Sequence, residues 1–574
     1  MLAAAMSVSL LAGCGSEGDN QPSGSNEGEQ NSGQEDGSEG NSQSSGSNEG
    51  EQNGGEEANA TPFYMTLDPQ VSGDIDIMTW GGDSVYHADL GHQEISDMEL
   101  DNYTVAMIYA MAKKFNEMYP NVKVNLYAVA SGGENWDQEL ENFKAEHAKY
   151  PDIYSSMALP KDVAKGMVAD MSIYANDPLY QSFNSSVMEM MNYYGVQAGI
   201  PYFMIPWGVW VNKELAETKN VPCPDPDWTI DEYTDFVTSA DKQTFWGLMW
   251  GGEDYASKFI GTGVDTVNAA LKEGKEIDLA SDQVMRLLDY VPKWSSVEVW
   301  AKWNEGAIDV SIMDAGDWGA WHFFCKNFLL TCSGEPWFLR TACQSQNEDG
   351  TWPENAVQAT DWDIYPRPST DYRGNNIGII TDPLVMHNYA MDDGDPALSD
   401  AEKAKLDLTY AFTSYWCGAT EAMQARADQM YNNYGTLHSS LTDSFPLVTG
   451  EEFDRQMAIW YSVGGRSRYA DENRMPGFQY VLKLWEEGAI YDYSDKCYPC
   501  KIMEDGMEIH CLDEWNRMTY NDVSGLLEND PNWLDTIKAN LPEWNTKSKE
   551  RLAKAQEELQ TGLKTYYGLT DSDF

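Results

Sequence analysis

The sequence predicts an α/β fold, because strand-like alternation and helical spacing take turns along one stretch, each ended by a breaker. Asp74–Trp80 alternates Asp with Ile and stops at Gly81-Gly82, as a half-buried strand does. Thr104–Met118 places Ile108, Met111, Phe115 and Met118 at helical spacing and ends at Tyr119-Pro120. Asn121–Leu126 alternates again, Trp136–Lys149 has helical character, and Pro151–Tyr154 reads as a third, short strand. Strand, helix, strand, helix, strand at this spacing requires a parallel sheet with crossover helices. Ligands of such sheets sit beyond the carboxyl ends of the strands, where Trp80 and its glycine pair emerge.

Composition sets the outer bounds. The chain has 574 residues, with 93 Asp+Glu against 37 Lys+Arg and a formal charge of −56. That field repels nucleic acid and anionic membrane surfaces and disfavours anionic ligands. A hydrophobic share of 42% is enough for a large core, and the length suits two domains or two large lobes. Tryptophan is the outlier, with 21 copies beside 32 Tyr and 17 Phe.

The charge is unevenly placed. Residues Gly15–Ala60 hold 11 acids, 11 Gly and no Lys or Arg, and the nonapeptide at Ser23–Asn31 recurs at Ser45–Asn53. So little apolar surface cannot offset the entropy of ordering, so residues 15–71 are expected to form a flexible linker. Its low-complexity part has a mean reach of about 35–40 Å. Without those acids the body still stands at −45. Ahead of the linker, residues 1–14 form an apolar run ending in Leu11-Ala12-Gly13-Cys14. This matches the lipobox of bacterial lipoprotein signal peptides, which implies lipidation of Cys14. Such signals open with Lys or Arg and none precedes this run, so the given start is expected to lie within a longer signal peptide. No other apolar run reaches the length of a membrane span.

Eight further cysteines include two local clusters, Cys325/Cys332/Cys343 and Cys497/Cys500/Cys511. An exported protein permits disulfides, and plain buried thiols fit equally. Cys497-x-x-Cys500 followed by His510-Cys511 lacks the second Cys-x-x-Cys of a zinc site, so neither metal nor cofactor is expected.

Six short motifs then carry a resemblance. They are Ala112–Val124; Tyr150–Tyr154 with Gly166–Met171; Ala198–Leu215; Trp228–Tyr233; Glu305–Trp318; and Trp362–Pro368 with Leu406–Ser414. In this order the chain resembles the extracellular solute-binding proteins of bacterial ABC importers, in their carbohydrate-binding group (family 1 type). The resemblance spans about 340 residues. It implies a two-lobed periplasmic-binding-protein-like fold (type II), each lobe a mixed sheet flanked by helices, joined by crossing hinge strands. Residues 72–204 and 364–430 would form lobe 1, and 205–363 with 431–574 lobe 2. Two departures stand out. Arg373–Gly378 replaces a customary Gly-rich loop with an aromatic, and the chain after Tyr434 is longer than usual. Trp485–Ile490 also echoes Trp303–Ile308, as a reused helix-to-strand turn.

Sugar chemistry accounts for the composition. Aromatic rings stack on the C–H faces of a pyranose, while amides and carboxylates bond its hydroxyl rim. Trp80, Trp207, Trp250 and Trp318 sit beside glycine or at expected strand ends, and Trp80 and Trp318 fall on the family's positions. Asp83 and Asp317 are the matching hydroxyl acceptors, with Trp136 and Glu253 as further candidates. The implied protein is a monomer without catalytic residues, on the outer face of the cytoplasmic membrane. It touches the membrane only through the lipid on Cys14, binds a neutral oligosaccharide, hands it to ABC permease subunits and has no nucleic-acid partner. The rival readings are a secreted glycosidase and a binding protein for a peptide or other non-sugar solute.

Overall fold

The structure, a computed structural model, describes residues 61–81, 84–130, 135–249, 278–299, 320–333, 338–339, 341–353, 355–371, 373–393, 397–432, 444–492, 496–514 and 532–574. Cys14 and residues 1–60 lie outside these.

Strand β1 (Ser72–Trp80) is followed by the short β2 (Val85–His87) and helix α1 (Tyr103–Met118). The Asn102 side chain caps α1 by accepting from the Thr104 and Val105 amides, and Ile108, Met111 and Phe115 are fully buried. Next come β3 (Asn121–Val129), α2 (Trp136–His147), β4 (Ile153–Ser155) and α3 (Leu159–Ala164). β1 pairs in parallel with β3 and with β4, as the alternating pattern predicts. Residues 61–71 are not linker. Tyr64 is buried, its carbonyl accepts from the Tyr119 hydroxyl at 2.7 Å, and Phe63 N–H donates to Asp177 at 2.9 Å. Apolar Phe63 and Tyr64 supply the core contacts that the Gly/Ser/Glu stretch lacks.

Two strands carry the chain between two sheets. β5 (Ile200–Trp207) belongs to the first sheet and passes through Gly208 directly into β6 (Val209–Val211) of the second. After α4 (Ile230–Thr238), whose Thr229/Glu232 capping box fixes its start, the second sheet gains β7 (Thr331–Cys332) and β8 (Asp363–Tyr365). The chain then returns as β9 (Ile377–Met386). β5 lies antiparallel along one edge of β9, from Ile200↔Leu384 to Trp207↔Gly378. β4 pairs with the opposite edge at Leu384–Met386. The first sheet is therefore mixed. Glycine is required at 208, because a Cβ there would stand 2.5 Å from the Tyr365 carbonyl oxygen.

After α5 (Asp400–Gly418), the C-terminal part serves both sheets. Helix α6 (Pro476–Glu486) docks on the second, its Gly477 and Phe478 amides donating to buried Asp363 at 2.8 and 3.1 Å. β10 (Ile490–Asp492) then joins β9 in the first sheet. The hairpin β11 (Lys501–Glu504) and β12 (Met507–His510) follows. The terminal helix α7 (Trp533–Tyr566) lies on α3, where a Cβ on Gly562 would be 2.4 Å from the Ala164 Cα. This corrects the assignment of 431–574 wholly to lobe 2. Among the described residues no helix is long and apolar enough to cross a membrane.

A buried charge network fixes the base of the first sheet. Asp152, 1% exposed, accepts from the Asp76 amide, the Tyr389 hydroxyl and the Lys405 ammonium, each at 2.8 Å. Lys149 meets the Asp76 carboxylate at 2.6 Å. Burial opposes ionisation of Asp76, but its bonds to Lys149 and Asn125 outweigh that and hold its carboxyl below the ordinary value. A carboxyl with a lowered folded pKa adds stability above the unfolded pKa, and that stability is lost as pH falls through the folded value. Lys149→Met is therefore expected to raise the pH at which acid unfolding begins, read by circular dichroism. Lys405→Met, which removes the close cation of a buried pair, should cost about 3–5 kcal/mol in a denaturant titration.

Candidate functional site

The described part of the site lies along the carboxyl edge of β1, β3 and β4. Strand register sets Thr79 beside Ser155, whose side chains share a hydrogen bond of 2.8 Å. Ser155 Oγ donates to the Tyr202 hydroxyl at 3.2 Å, at the start of β5. Burial, reinforced by the Asp382 carboxylate, pushes the Tyr202 phenol well above its ordinary value, so it stays a neutral hydroxyl. Asp382, buried on β9, pairs with the ammonium of Lys496. Four strands, β1, β4, β5 and β9, and the segment after β10 thus converge on one polar edge.

Trp80 ends β1 at this edge, half-buried, with its ring edge-on to Tyr103 at 6.2 Å. The first turn of α1 holds the exit of the chain. Thr104 Oγ1 donates to the Trp80 carbonyl at 3.3 Å and Asn102 Nδ2 to the Gly81 carbonyl at 3.2 Å. A Cβ on Gly81 would come within 2.1 Å of Thr104 Oγ1, so only glycine fits there. The Trp80 indole N–H has no hydrogen-bond partner among the described residues.

The other candidates separate. Trp136 is 3% exposed and packs with Leu140 and Phe143 in the core, which corrects its expectation as a ligand contact. The spacing 136, 140, 143 is a buried helical stripe and carried that signal in the sequence. Trp207 is buried at the far end of β5, and its indole donates to the Ser333 carbonyl at 3.1 Å, tying the crossing strand to the segment after β7. Asp83, Trp250, Glu253, Asp317 and Trp318 lie outside the described residues. Tyr103, Tyr202, Ser155, Asp382 and Lys496 were not anticipated. Tyr202 alone had a signal, its place at the entry of the first crossing.

Cys223, Cys343, Cys417 and Cys511 are free thiols. Among the described residues no group of three or more His, Cys, Asp or Glu is arranged to hold a metal.

No protein-family model and no curated protein sequence matches the chain. It is similar to the solved sugar-binding protein MalE from Xanthomonas citri, at 12% identity over 85% of this chain and 99% of that one, TM-score 0.49. It is also similar to the ABC substrate-binding protein Lmo0181 from Listeria monocytogenes, solved in complex with cycloalternan, at 14% identity over 87% and 100%, TM-score 0.43. A third is the cyclic alpha-maltosyl-1,6-maltose binding protein from Arthrobacter globiformis, at 12% identity over 87% and 99%, TM-score 0.46.

Just past β4, Ser156 Oγ donates to Asp162 Oδ2 at 2.6 Å, anchoring the turn into α3. Burial pushes the Asp162 carboxyl up from 3.8 to about 6. The folded chain therefore keeps a proton that the unfolded chain releases, so stability falls as pH rises from 3.8 through about 6. Asp162→Asn is expected to flatten that part of the stability profile, measured by thermal melts across the interval.

Proposed function

We propose that the chain is the extracellular, lipid-anchored solute-binding protein of an ABC importer, and that it captures a neutral oligosaccharide between two lobes. The observation that carries this is the pair of strand passages, β5 into β6 and β8 back to β9, joining two sheets beside the edge that holds Trp80. Five of the six sequence motifs also fall on described elements in order: α1 into β3, β4, β5 into β6, the start of α4, and β8. The remaining one, Glu305–Trp318, lies outside the described residues.

In this reading a half-buried Trp80 offers a ring to a sugar face, and the hydroxyls and carboxylate along the edge suit a neutral rim. Trp318, Asp317, Trp250, Glu253, Asp83 and Trp207 are proposed as further contacts. Ligand that touches both lobes favours the closed form by its difference in affinity for the two states. The closed monomer would then deliver its cargo to the permease. The tether from Cys14 raises the effective concentration near that permease.

Calorimetric titration of the chain against a glycan panel tests this directly. Binding of a neutral oligosaccharide is expected, with Trp80→Ala or Trp318→Ala weakening it about tenfold or more through loss of a stacking surface. Chromatography of the incubated sugars should show no cleavage products. Products would support the glycosidase instead, and binding of peptides without any sugar would support a peptide receptor.

A further inference from the structure

A second concave surface begins just past β4, where Met157 and Ala158 line it. It is a groove of about 560 Å³ between α3, the β11–β12 hairpin and α7. Volumes of this order suit small ligands. One side is apolar, formed by Pro160, Pro499, Ile502 and Leu559.

The polar side carries charge in a neutralised ladder. Lys161 meets Asp137 at 2.9 Å and Glu508 at 2.8 Å, and Glu508 faces Lys501 at 3.8 Å. Lys165, Glu557 and Glu558 also line the groove, so its three ammonium and three carboxylate groups balance and favour no ionic ligand by net charge. A hydroxyl, which donates and accepts at once, can bridge neighbouring carboxylate and ammonium groups. On α7, Thr561 and Thr565 donate to the Glu557 and Thr561 carbonyls, each at 2.7 Å, which leaves their oxygens free to accept.

The rim adds an aromatic platform. Tyr566 is 44% exposed, and its ring rests on the backbone of Gly166, where a Cβ would come within 2.4 Å of the ring. Gly166 has φ +70°, so glycine is favoured on both counts. A flat ring braced in this way loses little freedom when a pyranose face stacks on it.

We infer that this groove is a second binding site for a neutral saccharide, stacked on Tyr566 and bonded by the Lys161–Glu508–Lys501 ladder and the threonine hydroxyls. Trp80 is not among its lining residues, and most of the groove is built by the C-terminal chain, which supplies the hairpin and α7.

The test is calorimetric titration of the full chain with maltotriose and with cellotriose. Two classes of site are expected in at least one titration. Thr561→Trp, an exposed position on a helix surface, should fill the groove, remove one class and leave the melting temperature unchanged. Tyr566→Ser should weaken that same class about tenfold. Trp80→Ala should affect only the other class. A single class of site insensitive to Thr561→Trp would overturn the groove while leaving the proposed function standing. Binding that survives Trp80→Ala and disappears in Thr561→Trp would uphold the groove and sink the assignment of the edge. No binding of either sugar at any site would overturn both.

Discussion

The antiparallel pairing of β5 with β9 is the constraint on which both sheets hang. These strands are the outgoing and returning passages of the chain, and their ladder runs from Ile200↔Leu384 to Trp207↔Gly378 with one register shift, between Asp382 and Pro383. β4 and β10 divide the other edge of β9, so the parallel core of the first sheet reaches the passages only through that strand. The pairing thins toward its far end. Pro206 has no N–H to give the ladder, and Gly208 has no Cβ where the passage grazes the Tyr365 carbonyl. The ladder has ended at Gly208, where the chain passes to the second sheet, and there the proposed closure would act.

The first sheet is built differently at its two ends. At the base, Asp152 and Asp76 are each held by lysine and by further hydrogen bonds from β1, β3, α5 and the segment after β9. Removing the close lysine of either carboxylate leaves a buried charge poorly compensated, so this end resists rearrangement. The carboxyl edge adds hydroxyls to the buried pair Asp382–Lys496: Thr79, Ser155 and Tyr202 exchange neutral hydrogen bonds, whose loss costs much less than a stranded charge.

The sequence revealed the local part of this and concealed the long-range part. Ile75 and Ile77 alternating with Asp, the buried stripe of α1 and the breaker at Tyr119-Pro120 all act within a few residues, so β1, α1, β3, α2 and β4 were readable. The two passages were readable by resemblance, but not their pairing: β5 and β9 are nearly continuous apolar runs, and such runs do not encode direction or neighbour. The destination of 431–574 was hidden for the same reason. β10 is three residues long, and its place beside β9 depends on a passage back from α6 that no periodicity marks. The polar edge was illegible because Thr79, Ser155, Tyr202 and Asp382 come together only through register.

Tryptophan content is a weaker guide to the ligand than its abundance suggests. Trp210, Trp228, Trp294, Trp362, Trp416, Trp460 and Trp485 are among the largest fully buried side chains. Several are fixed by their polar ends: Trp228 donates to the Pro366 carbonyl at 2.9 Å and Trp294 to Thr234 Oγ1 at 3.0 Å. Others make edge-on aromatic contacts, as Trp210 does with Trp321 at 4.6 Å. A large buried ring is a way to build a core, whether its indole is bonded as in Trp228 or left without a partner among the described residues as in Trp416, Trp460 and Trp485, and burial of this kind carries no information about sugar. What separates Trp80 from these is its position. It ends a parallel strand, keeps part of its ring in solvent and is steered by a helix start that leaves no room for a side chain at Gly81. Location at the carboxyl edge, and not the count of 21, is what points to binding.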